Sequence, residues 1–549
     1  MRNIEIPYVE NRGKRYRFFE MLPGLLSWSI LALPFVLSFT NAAIHVFGVP
    51  LPISGIFIMG YLLIWFAKAV GLNIRAIQGY QMITLHQKLP WSQMLTELTT
   101  GKPDQPDRHI PTWHYEHIVR LSEQPTPIKA EDIVHAIIIA TYNEGREVLE
   151  PTIQSVLASD YDSKKVILVM AYEERNGAQS EPAVQELIAQ YGSKFKHAFA
   201  VKHPVTPKEV RGKGGNITYA ARELTNYVSK QQIDPLNVIV TTLDSDNRPH
   251  KYYLAALSYL YAVTPDPKYV SYQPVPIYNN NIWDAPAPMR VIATGNSFWN
   301  MVLSVRTHMI RNFSAHAQSL QTLIDTDYWS VRTIVEDGHQ FWRTYFRYEG
   351  HHEVYPLYVP IYQDAVLSDT LWKTLKAQFV QLRRWAWGAS DVAYVAEKGF
   401  FTENKVPKLD LIFKFGRLLE GHVTWAVAPL ILAFSAFIPG LINANNLGPI
   451  GFTTNQLPHM ASQIQRVALT GIIITLYLSV KMLPPKPLRY KRHRSVFMIL
   501  QWFMLPVTTI AYNSFAALNS QTRLIFGKYL AEFDVTDKAV VNEDNQKIL

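Results

Sequence analysis

The sequence predicts a parallel α/β domain set between apolar segments long enough to cross a membrane. Three observations carry this expectation. Apolar residues collect towards the two ends of the 549-residue chain, while its charged residues crowd the middle. Between about residues 130 and 250, apolar strand-like runs alternate with stretches of helical spacing. Clusters of Lys and Arg flank the apolar ends, which is the positive-inside signature.

The first apolar segment runs from about Leu22 to Phe47, after Arg12, Lys14, Arg15 and Arg17. It is too long for the apolar part of a signal peptide, and no small-residue cleavage site stands out. A second runs from about Val49 to Leu72, with Lys68 near its end, where the side chain can snorkel. Two spans bring the chain back to its starting side, which the basic N-terminus makes the cytoplasm. The expected division is 1–72 for the N-terminus and two spans, then 73–129 for a linker with a surface or membrane-lying helix. A catalytic-sized block occupies 130–400, three further membrane segments 401–518, and a tail 519–549. The three C-terminal segments are Gly421 to Ile442, Val467 to Leu483, and Val496 to Leu518. A basic stretch, Lys481 to Arg494, separates the last two and belongs on the cytoplasmic side. Pro506 lies in the last segment, so it either spans or re-enters, and the side of the tail stays open.

The net charge is +9, but no basic run interleaved with aromatics appears, so nucleic acid is not expected as a partner. The absence of cysteine excludes disulfides, thiolate metal sites and a cysteine nucleophile.

Within the central block, 134–140, 165–171, 196–201 and 238–243 read as buried strands. Residues 148–158, 182–191 and 216–230 carry helical spacing between them. Strand–helix alternation implies a parallel sheet, whose ligands bind at the C-terminal ends of the strands. Three acidic loops then fall on one edge: Asn143-Glu144, Glu173-Glu174 and Asp244-Ser245-Asp246.

Asp244 and Asp246 end an apolar strand, and two carboxylates one residue apart can share one hard cation, Mg²⁺ or Mn²⁺, held against a diphosphate. The plain alternative is a solvated turn. In Arg211-Gly212-Lys213-Gly214-Gly215-Asn216, glycines allow close backbone approach and Lys213 offers charge to a phosphate or base carbonyl. The alternative is a flexible basic loop ending in an Asn cap. Glu336 and Asp337 can supply a general base for a hydroxyl, or simply complement a helix dipole. After Gln381, the arginines and tryptophans Arg383, Arg384, Trp385 and Trp387 share about one helical turn; Arg suits phosphate and Trp a sugar face, while an interfacial helix explains the same residues.

Taken in order, Thr141-Tyr142-Asn143-Glu144, Glu173-Glu174, Lys213-Gly214-Gly215-Asn216, Asp244-Ser245-Asp246, Thr294-Gly295-Asn296-Ser297, Val335-Glu336-Asp337 and Gln381-x-x-Arg384-Trp385 resemble the membrane-integrated family-2 glycosyltransferases. The group they look most like is the processive cellulose-synthase-like and hyaluronan-synthase-like enzymes. The resemblance covers about 130–400, and the flanking spans in arrangement only. It implies a GT-A type, Rossmann-like cytoplasmic domain inserted between transmembrane helices of a cell (inner or plasma) membrane protein. It places Thr141, Glu144, Glu173, Lys213 and Asn216 at a nucleotide-sugar donor, with Asp244 against the diphosphate or sugar. It makes Asp246, with Asp244, the holder of Mg²⁺ or Mn²⁺, and Asp337 beside Glu336 the catalytic base. Gln381, Arg384 and Trp385 would close over the diphosphate and the acceptor's terminal sugar. Two departures stand out: Glu173 where many relatives begin with Asp, and Val335 where they carry Thr. The stretch after Leu518 is too short for the cyclic-dinucleotide-binding barrel of bacterial cellulose synthases, so none is expected.

The implied activity is inverting hexosyl transfer from a nucleoside-diphosphate sugar, with a lean towards uridine, onto a growing polysaccharide that the spans could translocate. A single addition to a lipid or lipid-linked acceptor is the alternative, and a non-catalytic membrane scaffold or transporter is the reading from another class. Few intramembrane charges and no internal repeat weigh against a transporter.

Overall fold

Strand β3 (Val134–Thr141) alternates its side chains between two apolar layers. Ile137 and Ile139 enter one core, and Ala136 and Ile138 the other. Both faces of the sheet are therefore covered, which is why the sequence shows a near-continuous apolar run rather than polar alternation. The computed structural model describes residues 4–530 apart from 41, 47, 103–108, 205, 446–448 and 492. The tail beyond 530 and the middle of the 73–129 segment thus lie outside the described residues.

Strand β4 (Val166–Glu173) pairs with β3 in parallel, β5 (His197–His203) with β4, and β6 (Val238–Asp244) with β3 on its other side. Helices Arg146–Leu157, Gly177–Tyr191 and Tyr253–Val263 cover one face. Helix Lys213–Lys230 covers the other with Ile217, Ala220, Ala221, Leu224 and Val228, a spacing that stays on one helical stripe.

The whole sheet is mixed, not parallel throughout. The short strand β9 (Ala317–Ser319) runs antiparallel between β6 and β8 (Val270–Tyr278). Next comes β10 (Glu353–Gln363), parallel to β8, and β7 (Arg248–Pro249) closes the edge antiparallel. Three residues are too few for a periodic signal, so the reversal at β9 has no trace in the sequence.

Among the described residues, five helices are long and apolar enough to cross a membrane: Lys14–Thr40, Ile53–His86, Lys408–Ile442, Thr454–Lys481 and Arg494–Ile525. They are compatible with a multi-pass membrane protein. Their bounds differ from the apolar limits. The stretch expected at the junction of the first two segments is instead a hairpin, β1 (Ala43–Val46) with β2 (Val49–Pro52), turning at Gly48 with φ +79°. That backbone conformation favours glycine.

The second helix runs on to His86 because its last turns pack on the α/β domain. A Cβ at Gly79 would lie 2.6 Å from the Met301 carbonyl oxygen, so only glycine permits that approach. Ile83 packs with Val275 and Ile277. The following helix, Trp91–Thr100, buries Trp91 and Met94 in the main core, where a surface or membrane-lying helix was expected. Trp91 meets the Tyr259 ring edge-on, and that aromatic packing outweighs the segment's polar composition.

The last long helix begins and ends against the α/β domain. Arg494 Nη2 donates to the Trp283 carbonyl at 2.9 Å, and Leu524 packs with Val335 and Trp387. Between these ends it breaks into a 3₁₀ turn (Gln501–Met504) and a π turn (Thr509–Ser514) around Pro506. Tyr529, just beyond it, donates to Glu20 of the first helix at 2.8 Å.

Candidate functional site

The C-terminal tips of β3, β6 and β8 and the starts of two helices bring acidic and basic side chains together. This is where a parallel sheet leaves room for a ligand, because the strands end and their loops splay.

Asp244 closes β6. Its Oδ1 accepts from Lys213 Nζ at 2.7 Å and its Oδ2 from Ser314 Oγ at 2.6 Å. Lys213 is the first residue of its helix, so the loop expected before the helix already belongs to it. Gly214 lets that start press inward: a Cβ there would lie 2.5 Å from the Ser330 carbonyl oxygen and 3.2 Å from Glu336 Cβ. Asp246 is buried. Its Oδ2 accepts the Asp364 backbone N–H at 3.2 Å, and its carbonyl accepts from Asn280 Nδ2 at 3.0 Å.

Glu336 and Asp337 begin helix Glu336–Arg347. Glu336 is 3% exposed; burial first, then the charge of Asp337, pushes its carboxyl up to about 8. Burial also raises Asp337, while Lys213, the Gly338 N–H and Arg384 pull it back down. The Gly338 N–H donates to Asp337 Oδ1 at 2.7 Å. The charge of Asp337 thus favours a proton on Glu336.

The helix carrying them is fixed from behind. His339 is hydrogen-bonded through Nδ1 to Asp391 at 2.7 Å. Arg343 donates to Glu5 Oε2 at 2.8 Å and to the Thr326 carbonyl at 2.7 Å. The N-terminal residues thus clamp the acidic pair from hundreds of positions away.

Tyr278 is the last residue of β8. Burial raises its pKa most, and the charges of Asp244, Asp246 and Asp337 raise it further, while Arg384 lowers it. Tyr278 thus lies within electrostatic reach of all four groups. The Tyr278 N–H donates to Ser297 Oγ at 3.0 Å, which gives the Thr294–Ser297 motif a positioning task. The Trp385 ring lies 6.2 Å from the Tyr278 ring, centroid to centroid. Tyr278, Ser314 and Asp364 were missed in the sequence. Tyr278 ends an apolar run just as Asp244 does, so the strand-tip rule could have found it; Ser314 sits in irregular chain with no signal.

Other expected residues form a second group at the tips of β3 and β4. Glu144 Oε2 accepts from Thr141 Oγ at 2.9 Å and from the Tyr142 N–H at 2.8 Å. Its Oε1 accepts from Ser245 Oγ at 2.9 Å, which ties this loop to the Asp244–Asp246 tip. Glu173 is buried and ion-paired with Arg175, whose guanidinium covers the Tyr142 ring. Asn216 Nδ2 donates to the Ala171 carbonyl at 3.0 Å, binding the helix start to β4. Gln381 accepts from Gln378 one turn earlier, at 3.0 Å, on helix Leu371–Ala386 with Arg384 and Trp385.

Among the described residues no three His, Asp or Glu side chains converge as a closed metal cage. Asp246 and Asp244 fit a hard cation of the Mg²⁺ or Mn²⁺ kind, which needs only one or two carboxylates when phosphate oxygens and water complete its shell. Both carboxylates are already braced, Asp244 by Lys213 and Ser314 and Asp246 by the Asp364 N–H.

No protein-family model matches the chain, and no curated protein matches it. Among solved structures, the mannosyltransferase PcManGT of Pyrobaculum calidifontis, in complex with GDP-Man and Mn²⁺, is similar at 15% identity and a TM-score of 0.37. That match covers 80% of this chain and 99% of that one. S. aureus TarS, residues 1–349, in complex with UDP-GlcNAc, is similar at 11% identity and a TM-score of 0.32, covering 72% of this chain and 93% of that one. The same TarS fragment with UDP gives 10% identity and a TM-score of 0.33, over 74% of this chain and 95% of that one.

Proposed function

We propose that the chain is an inverting, metal-dependent glycosyltransferase of the membrane-integrated family-2 type, which extends a polysaccharide from a nucleoside-diphosphate hexose. The observation that carries this reading is the Lys213–Asp244 pair at the tip of β6, with Asp337 in reach of both Lys213 and Arg384, so that four separate elements meet there. A scaffold has no use for a buried and a half-buried carboxyl side by side, within reach of two cations.

In this reading Asp337 takes the proton of an acceptor hydroxyl. The freed oxygen bonds to the anomeric carbon as the bond from that carbon to the diphosphate oxygen breaks, with inversion and without a covalent enzyme intermediate. The nucleoside diphosphate departs with the bonding electrons. Lys213 and Arg384 balance its charge in a partly buried setting, where fixed charges act more strongly than in water. A divalent cation on Asp246 and Asp244 would supply further charge neutralisation to the leaving diphosphate. Thr141, Glu144, Glu173 and Asn216 hold the two neighbouring tips in register for the nucleoside, and Trp385 offers its face to the acceptor sugar.

The catalytic domain faces the cytoplasm in this reading, and the described end of the chain lies on the same side. The test is to incubate the purified full chain with a panel of UDP- and GDP-sugars and Mg²⁺ or Mn²⁺. Release of nucleoside diphosphate with long product is expected. Release with only single-sugar product selects the lipid-acceptor reading, and no release from any donor overturns both.

A further inference from the structure

Outside the acidic site, one cluster of cations has no counter-charge of its own. Arg75 lies on helix Ile53–His86, Arg306 just after helix Ala287–Ser304, and Arg417 on helix Lys408–Phe434. Packing forces the three together. The close approach of Gly79 to Met301 and the contact of Ala76 with Val302 set Arg75 beside the end of the helix that precedes Arg306. Arg417 Nη1 donates to the His308 carbonyl at 3.2 Å, which draws the third guanidinium to the same loop.

The charges feel one another. Burial lowers the Arg306 pKa, and Arg75 and Arg417 lower it further. His308 is lowered by burial and then by Arg417, Arg306 and Arg75. The carboxylate acting on Arg306 is Glu420, already ion-paired with Lys68 at 2.7 Å. Among the described residues none of the three guanidiniums has a carboxylate within ion-pair distance, and Arg306 Nε is buried with no hydrogen-bond partner. A folded chain gains nothing by gathering like charges unless an anion joins them.

The surroundings say which anion. Lys68, about two turns before Arg75, and Glu420, one turn after Arg417, sit where the two long apolar helices meet the domain. Val70 and Ile74 are exposed beside Arg75, and Ile412 and Phe413 beside Arg417. Cations bordered by exposed apolar side chains at the end of spanning helices suit a phosphate that carries acyl chains. We propose that Arg75, Arg306 and Arg417 form a binding site for the phosphate of an anionic lipid headgroup. The site does not depend on the glycosyltransferase reading.

The test uses the full chain in maltoside detergent, titrated with dihexanoyl phosphatidylglycerol, dihexanoyl phosphatidylcholine and inorganic phosphate, with affinity read by calorimetry. Saturable binding of phosphatidylglycerol is expected, and R75Q/R417Q should weaken it by roughly 30-fold, at about a tenfold per 1.4 kcal/mol and about 1 kcal/mol per surface cation. Both positions are exposed, so the variant should fold. R75K/R417K, which keeps the charge, should retain most of the affinity. K481Q/K491Q, which removes two exposed cations elsewhere, should leave it within about twofold. Unchanged affinity in R75Q/R417Q, or equal loss in the two Gln pairs, overturns the site. Inorganic phosphate binding as tightly as phosphatidylglycerol overturns the lipid as its source.

Discussion

The Lys213 ammonium lies 2.7 Å from the Asp244 carboxylate, joining the first residue of a helix to the last residue of a strand. Lys213 is nearly buried and Asp244 is about one-third exposed, so the pair is half inside the protein. It holds the strand tip in place and keeps a positive charge beside the acidic pair of the next helix.

Lys213→Met should therefore cost stability as well as turnover. A charge-assisted hydrogen bond in this setting is worth about 1–2 kcal/mol after discounting for solvent at Asp244. K213M/D244N should regain part of the stability and none of the activity. Thermal melts and diphosphate release in the two variants check this; equal stability of K213M and the parent would show that the pair does not brace the tip.

Asp337→Asn should lower kcat by about 10²–10⁴-fold while the melting temperature holds or rises, because a desolvated carboxylate costs more than an amide of the same shape. Single-turnover diphosphate release, with the melting curve beside it, is the measurement. Near-parental turnover in D337N would remove Asp337 as the base.

Glu336 predicts a pH dependence of stability. Its carboxyl titrates near 8 in the folded protein against 4.5 when unperturbed. Between those values the native state keeps a proton that the unfolded chain has lost. Its contribution is thus full below about pH 4.5 and is lost as pH rises through about 8. E336Q should flatten that fall. Melting temperature from pH 5 to 9 in both proteins decides it, and identical slopes would rule the linkage out.

Tyr278→Phe removes one hydroxyl within electrostatic reach of Asp244, Asp246 and Asp337 and leaves the ring packing on Trp385 intact. Turnover should drop by about tenfold or more, with stability changed by less than about 1 kcal/mol, since the hydroxyl is worth one hydrogen bond to the bound ligand. A turnover indistinguishable from the parent would make Tyr278 a packing residue only.

The absence of cysteine gives a clean background for topology. Lys528→Cys and Ser163→Cys should be labelled by an impermeant maleimide from the same side of sealed vesicles, and His45→Cys, in the β1–β2 hairpin, from the opposite side. Labelling of Cys at 528 and 45 from one side would mean that the last helix crosses.

Much of the domain was legible along the chain because local periodicity writes itself into composition. β3, β4, β5 and β6 fall within a residue or two of their apolar runs, since the three inner strands are covered on both faces and even the edge strand β5 keeps Ala198, Phe199, Ala200 and Val201. The limits of the membrane segments were less legible. Apolar composition marks the bilayer thickness, whereas the helix at Ile53 continues to His86 on packing contacts with Met301, Val275 and Ile277 that no local window contains.

By itself, the sequence determined the alternating α/β core, the apolar helices at both ends and the residue types at each strand tip. Only the tertiary structure decided that β9 reverses the sheet, that the last helix starts and ends on the domain, and that Tyr278 stands among Asp244, Asp246, Asp337 and Arg384. The reason is range. Helix and strand periods are set by neighbours a few residues apart, while a cluster of charges is set by packing between segments tens of residues or more apart.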